Sequence, residues 1–436
     1  MRNGFPAFFK LKVGSSTRQG IIALSDQGVS SLTNFVTGII LARACGKEQL
    51  GLYVLGFSLV LFIMGIQDSL ILSPFTVYSP RLTGIDLARY CGSTLIHQWI
   101  LSALTMLGLS IAGLLVTSGF GPQQFAPVLW ALVVAITFML LREYARRICF
   151  ARLQMKAALI LDSGVCVVQI GGLLLLSHVG ALSAAKAYWV TAFACGLASL
   201  GWLIWIRKHY SVGLRRSLSD LTRNWSFGKW LIGGSLAYMG AVQSYPWLLA
   251  VFHGPGSTGI LAACLAIVSL ANPFIMGMSN FFSPKMAHAY TQGVVELHRV
   301  VVKAAVLLAG CVGMFCLAIL IFGDQFLILA YGGDYGGNRL TLAVLTLTTF
   351  IVALSTAFGY GLRAMDRPDV TFKNNSIQLG VAVTVGVWLV KAYGIPGVAF
   401  ALLLGSLVGG VVTYVYYIVQ MRLAALEGPR VETTQL

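Results

Sequence analysis

The chain has 436 residues, of which 57% are hydrophobic and only 10% charged, and it carries a formal net charge of +16. Soluble domains are about 25% charged, so this composition excludes a water-solvated globule and requires lipid to solvate much of the surface. The excess of cations then reads as a membrane-topology signal that suits anionic headgroups, not as a nucleic-acid footprint.

A helix needs roughly 20 apolar residues to cross the ~30 Å hydrocarbon core. The chain offers twelve such stretches. In chain order the predicted spans are 21–42, 50–73, 95–118, 126–146, 157–177 and 185–206, then 230–252, 259–281, 302–323, 340–361, 374–391 and 397–419. The basic start could introduce a signal peptide, and Ala42-Arg43-Ala44-Cys45 has the look of a cleavage site. The first apolar run is longer than a 7–15-residue signal core, however, and eleven more spans follow it. It is therefore expected to stay as a permanent helix.

With the start placed inside, 25 of the 30 Lys and Arg fall on inside segments. Only Arg43, Lys47, Lys186, Arg339 and Lys391 fall outside. Such a bias predicts a multi-pass membrane protein with both termini cytoplasmic. The longest inside connector, 207–229, falls midway and divides the chain into six-helix halves, residues 1–217 and 218–436. The outside segment 323–339 is long enough for one short interfacial helix, and the tail from about Met421 is polar.

The halves repeat weakly. Ser79-Pro80-Arg81 matches Ser283-Pro284-Lys285, and Gly51 matches Gly259, each pair opening or closing the second helix of its half. Gly180-Ala181 matches Gly394-Ile395 before the last helix of each half. With an even number of helices per half, the repeats are parallel, related by an axis along the membrane normal. The expected fold is thus all-α and polytopic, with twelve transmembrane helices in two pseudo-symmetric six-helix bundles around a central cavity.

Several motifs fit their bland reading better. Gly254, Gly256 and Gly259 match GxGxxG, but they lie in a hairpin between membrane helices and not after a strand. Asn224-Trp225-Ser226 and Asn374-Asn375-Ser376 match a glycosylation acceptor on the side where acceptors are not used. Gly405 and Gly409 form GxxxG, which suggests close packing of the last helix. The eight cysteines lack CxxC spacing and behave as small hydrophobes, so neither a disulfide nor a metal site is expected. The six histidines form no acid–base or nucleophilic constellation, and no enzymatic chemistry is expected.

Polar residues within the spans are more informative, because ionisable groups in a membrane helix usually face a bundle interior or a wet cavity. Asp26, Ser30, Thr33, Asn34 and Thr37 recur at spacings of three and four, hence on one face. Gln67 with Asp68, and Asp162 with Gln169 seven residues apart, are further candidates for cavity lining. Gln243 stands before Pro246, and Asn272 before Pro273; proline breaks of this kind mark moving or substrate-lining helices in transporters. Arg142, Glu143, Arg146 and Arg147 close the fourth span. Topology and contact with lipid headgroups account for them; as a group they could also draw an anionic headgroup to a cavity mouth, with Arg142 the candidate for cavity lining.

Taken together, Ser25-Asp26-Gln27-Gly28 through Asn34-Phe35, Leu41-Ala42-Arg43 with Gly46, Gly51 and Tyr53, Phe227-Gly228-Lys229-Trp230, Gly259-Ile260-Leu261, Ser283-Pro284-Lys285, Tyr331-Gly332 with Tyr335, and Gly394 with Gly397-Val398 resemble the multidrug/oligosaccharidyl-lipid/polysaccharide (MOP) exporter superfamily, and within it the Wzx-type polysaccharide flippases. The resemblance covers nearly the whole chain. It implies two bundles forming a V, alternating access, no cofactor, and an undecaprenyl-pyrophosphate-linked oligosaccharide as cargo. Its implied partners are membrane lipid and other polysaccharide-assembly proteins, with no nucleic acid. Coupling to H⁺ or Na⁺ through Asp26 or Asp68 is a hypothesis. A multidrug/cation antiporter of the same superfamily is the first alternative, and a polytopic polysaccharide polymerase or ligase the second.

Overall fold

The computed structural model describes residues 15–206, 214–367 and 369–427. Ten helical stretches among them are long and apolar enough to cross a membrane. The first, α1 (Ser15–Gln67), folds back on itself at Gly46, where φ is 81°. A side chain disfavours that left-handed backbone and glycine does not, so the arm before Gly46 and the arm after it are two crossings. A π-turn (Asp68–Leu72) and α2 (Ser73–Tyr78) complete the second. Then come α3 (Gly84–Thr117), α4 (Ala126–Ala151), α5 (Met155–His178) and α6 (Ala184–Ile206). The second half begins with α7 (Leu214–His253), followed by α8 (Pro255–Val268), a 3₁₀ turn and α9 (Asn272–Gln292), which together make one crossing. It ends with α10 (Val294–Tyr331), α11 (Arg339–Ala364), α12 (Asp369–Val381) joined through a π-turn to α13 (Val387–Tyr393), and α14 (Ile395–Glu427). Counting both arms of α1, and adding the polar, Pro246-bearing α7, gives the twelve crossings.

Two connections differ from expectation. Residues 214–229 of the central connector are helical, because no proline or glycine interrupts Leu214–Phe227 and the segment runs straight into α7. Outside segment 323–339 holds no separate interfacial helix. Its apolar Phe326–Tyr331 run extends α10, and only a 3₁₀ turn (Gly333–Tyr335) follows.

The repeat is expressed at the contact between halves. Gly46 (φ 81°) and Gly254 (φ 82°) make the same turn, 208 positions apart. Gly51 and Gly259, also 208 apart, then pack backbone to backbone. A Cβ on Gly51 would lie 1.8 Å from the Pro255 carbonyl oxygen, and one on Gly259 would lie 2.1 Å from that of Lys47. Lys47 and Pro255 are again 208 apart, so each half presents the same patch to the other. This is the reciprocal contact that a two-fold axis generates.

The apolar core forks. One cluster spans both halves at the end carrying these turns and joins Leu41, Leu50 and Tyr53 to Leu261, Leu327 and Tyr331. At the opposite end the halves have separate clusters, Ile71, Phe75, Tyr90 and Tyr144 in one and Met286, Val301, Ala357 and Tyr417 in the other. A core shared at one end and divided at the other is a V. At the open end the first part of α7 leans on the first half: Tyr90 donates to Asn224 (2.9 Å), Arg216 pairs with Asp86 (3.0 Å), and Arg223 lies over the Tyr78 ring.

Candidate functional site

A cavity of about 140 Å³ lies inside the first lobe, lined by Ser30 and Asn34 of α1, Arg142 and Glu143 of α4, and Asp162 and Gln169 of α5, among others. Arg142 and Arg146 are four apart on α4, hence on one face, and they meet two carboxylates that are fully buried. Arg142 reaches Asp162 at 2.8 Å. Arg146 reaches Asp26 at 2.8 Å and Asp162 at 3.1 Å. Glu143 lies 3.5 Å from Arg146, Gln27 accepts from it at 3.2 Å, and Arg142 points one nitrogen at Ser30 (3.4 Å). The network ties α1, α4 and α5 together within the thickness of the bundle. Unpaired, such charges would be expelled from hydrocarbon; mutual pairing is what permits them there. Three carboxylates face two guanidinium groups, which leaves the network one negative charge in excess. Among the described residues, Asp26 Oδ1 is buried without a hydrogen-bond donor.

The polar stripe on α1 divides according to depth of packing. Asp26, Thr33 and Thr37 are buried against the lobe, and Gln169 donates to Thr37 at 3.0 Å. Ser30 and Asn34 open onto the cavity. Gln67 is placed elsewhere: buried, it donates to Gln98 and to the Leu140 carbonyl, each at 2.7 Å, and clamps α1 to α3 and α4. Asp68 pairs with Arg147 at 2.8 Å and accepts from Ser73 at 3.0 Å at the lobe surface. Gln243 is half-buried on α7 and Asn272 is exposed at the start of α9. Neither joins the charge network. The structure thus brings together Asp26, Ser30, Asn34, Arg142, Asp162 and Gln169, and sets Gln67, Asp68, Gln243 and Asn272 apart. Arg146 and Glu143 join these residues, although sequence reasoning named only Arg142 of their group as a cavity candidate. The signal was position on α4: Arg146 is four residues from Arg142, on the same face, and Glu143 is its next neighbour in sequence.

A second cavity, about 310 Å³, lies in the other lobe between α11, α12 and α14. Helices α4 and α11 are both 26 residues long. At their 14th, 17th and 18th positions, Met139, Arg142 and Glu143 line the first cavity, and Val352, Ser355 and Thr356 line the second. The two cavities therefore share equivalent positions on α4 and α11, although the first is also walled by α1 and the second by α12 and α14.

No family model matches the sequence. Over 93% of its length the chain superposes on 99% of a multidrug resistance MATE family transporter of the MOP superfamily in an inward-facing conformation, with a TM-score of 0.79 at 15% identity. The chain has the MOP-superfamily transporter fold. An outward-facing conformation of a MATE family transporter of the MOP superfamily aligns with a TM-score of 0.67 at 15% identity, over 94% of this chain and 96% of that one. A MOP superfamily transporter from Pyrococcus furiosus, whose binding pocket is described as reversed in polarity, aligns at 0.65 and 13% identity over 94% and 95%. In sequence, 172 residues (39% of this chain) are 22% identical to the capsular polysaccharide biosynthesis protein CapF of Staphylococcus aureus, spanning 43% of that relative's length. The MOP fold matches the many apolar helices of this multi-pass membrane protein.

Proposed function

We propose that this chain is a flippase for a lipid-linked oligosaccharide, an undecaprenyl-pyrophosphate-linked repeat unit of a cell-surface polysaccharide, and not an enzyme. A sugar–pyrophosphate headgroup cannot enter hydrocarbon alone, because each unpaired polar group costs several kcal/mol. A V with polar cavities in both walls supplies replacement partners, while its open side leaves the acyl chain in lipid. The observation that carries the reading is Arg142. Its guanidinium, paired with Asp162 on one side (2.8 Å), also lines a cavity between membrane helices, where its remaining N–H donors suit a phosphate oxygen. The sequence match to a capsular polysaccharide protein points the same way.

In this reading the lobes, 1–217 and 218–436, rock against each other in a bacterial inner membrane with both termini cytoplasmic. The resting state is inward-facing, which the higher TM-score to the inward-facing relative supports (0.79 against 0.67). Partners are membrane lipid and polysaccharide-assembly proteins, and no cofactor is involved. H⁺ or Na⁺ entering beside Asp26 would drive the cycle. The test is deletion of the gene, which should accumulate lipid-linked sugar on the inner leaflet and be rescued by the wild type but not by Arg142→Gln. Rescue by Arg142→Gln at the wild-type rate would overturn the role of Arg142. Transport by Asp26→Asn with unaltered pH and Na⁺ dependence would remove the coupling.

The second reading is a multidrug/cation antiporter, favoured by the one-carboxylate excess around Arg142 and Arg146. Purified protein that binds cationic dyes and ignores lipid-linked sugar would establish it in place of the first.

A further inference from the structure

The larger cavity, in the second lobe, has a lining unlike that of the first. Its volume of about 310 Å³ falls in the range of about 300–1,000 Å³ usual for small-molecule sites. Ser355, Thr356 and Thr413 each donate their hydroxyl hydrogen to their own helix, to the carbonyls of Ile351 (2.8 Å), Val352 (2.7 Å) and Gly409 (2.9 Å). That leaves oxygen lone pairs facing the space. Gln378 donates to Asn374 at 3.3 Å, which fixes both amides at the opposite wall with donor and acceptor positions to spare.

The glycines of α14 make this possible. A Cβ on Gly409 would lie 2.0 Å from Asn374 Oδ1, and one on Gly410 would lie 2.7 Å from Ser355 Oγ. Glycine there admits polar side chains, whereas GxxxG alone suggested only close helix packing. Arg363, stacked on Tyr360 with 5.1 Å between guanidinium carbon and ring centre, is the one charged side chain of the lining among the described residues. Neutral acceptors in excess, a few amide donors and no carboxylate suit a ligand that is itself neutral and rich in hydroxyl donors.

We propose that this cavity is the subsite for the uncharged sugars of the cargo, separate from the charged cavity of the first lobe. The assignment rests on the flippase reading and adds to it a division of labour: hydroxyls to the second lobe, phosphate to the first. Two probes test it on the full chain in lipid nanodiscs, by native mass spectrometry. One is undecaprenyl pyrophosphate alone; the other is the same lipid carrying a neutral hexose disaccharide. Wild type should prefer the sugar-bearing lipid. Thr356→Val and Gln378→Leu should each weaken that lipid about fivefold, the effect of one lost hydrogen bond, and leave the bare lipid unchanged. Ser406→Leu, which fills the cavity instead of stripping it, should abolish the preference, so the test survives if one variant fails to fold. Variants that keep the full preference, or a wild type that binds both lipids equally, overturn the sugar subsite and leave the flippase standing. A wild type that binds neither lipid overturns both.

Discussion

At the 17th, 18th and 21st positions of matched 26-residue helices, the first lobe carries Arg142, Glu143 and Arg146 and the second carries Ser355, Thr356 and Gly359. The backbone is the same and the chemistry is opposite. One cavity is wrapped in a charge network whose members are tolerated only because they hold one another; the other keeps hydroxyls and amides within reach by deleting Cβ atoms from the neighbouring helix. The repeat therefore places corresponding positions beside a cavity in each lobe, and the side chains at those positions decide its polarity. The same logic makes the charge network fragile toward loss of one partner, while its counterpart position Gly359 has room to change.

The largest test of that contrast is Arg146→Gln. It leaves Asp26 and Asp162 short of a guanidinium in the bundle interior, and thermal unfolding in detergent should show a loss of about 3–5 kcal/mol, as for other broken buried pairs. Next come Gly51→Ala and Gly259→Ala. Each drives a methyl into a carbonyl oxygen across the interface, so each should cost about 1–3 kcal/mol or more. The reciprocal geometry predicts equal damage; a clear inequality between the two would break the symmetry argument. Thr37→Val removes the bond to Gln169 and should cost only about 0.6 kcal/mol, the average for hydrogen bonds between membrane helices. The smallest effect belongs to Gly359→Ala, the counterpart of Arg146. Its Cβ would meet nothing within 4 Å, and stability should stay within about 0.5 kcal/mol.

Much of the fold could be read from the order of residues alone, because bilayer thickness fixes helix length. The pairing of Gly51 with Gly259 as equivalent positions was visible as spacing; that they touch was not, since a repeat says which residues correspond and not which meet. The polar face of α1 was legible too. Its division was not: Asp26 is sunk and Asn34 is open because α4 presents Arg146 to one and space to the other, a fact that belongs to the partner helix. Arg142 and Arg146 were read chiefly as topology because a cation near a helix end looks the same whether it faces water or an aspartate. Gln67 shows the converse. Its polarity was plain, but it serves as a clamp to Gln98, not a wall. The helical start of α7 escaped because a basic, polar segment between spans reads as a loop unless its lack of glycine and proline is given weight.

The crossing at Gly51 and Gly259 has one more consequence. Main chain meets main chain there, so no side chain is available to swing aside and let solvent by. A seal of that kind does not leak by rotamer changes and cannot be opened piecemeal. It parts only when the two helices separate as units, so under the proposed function any opening at that end would be all-or-none.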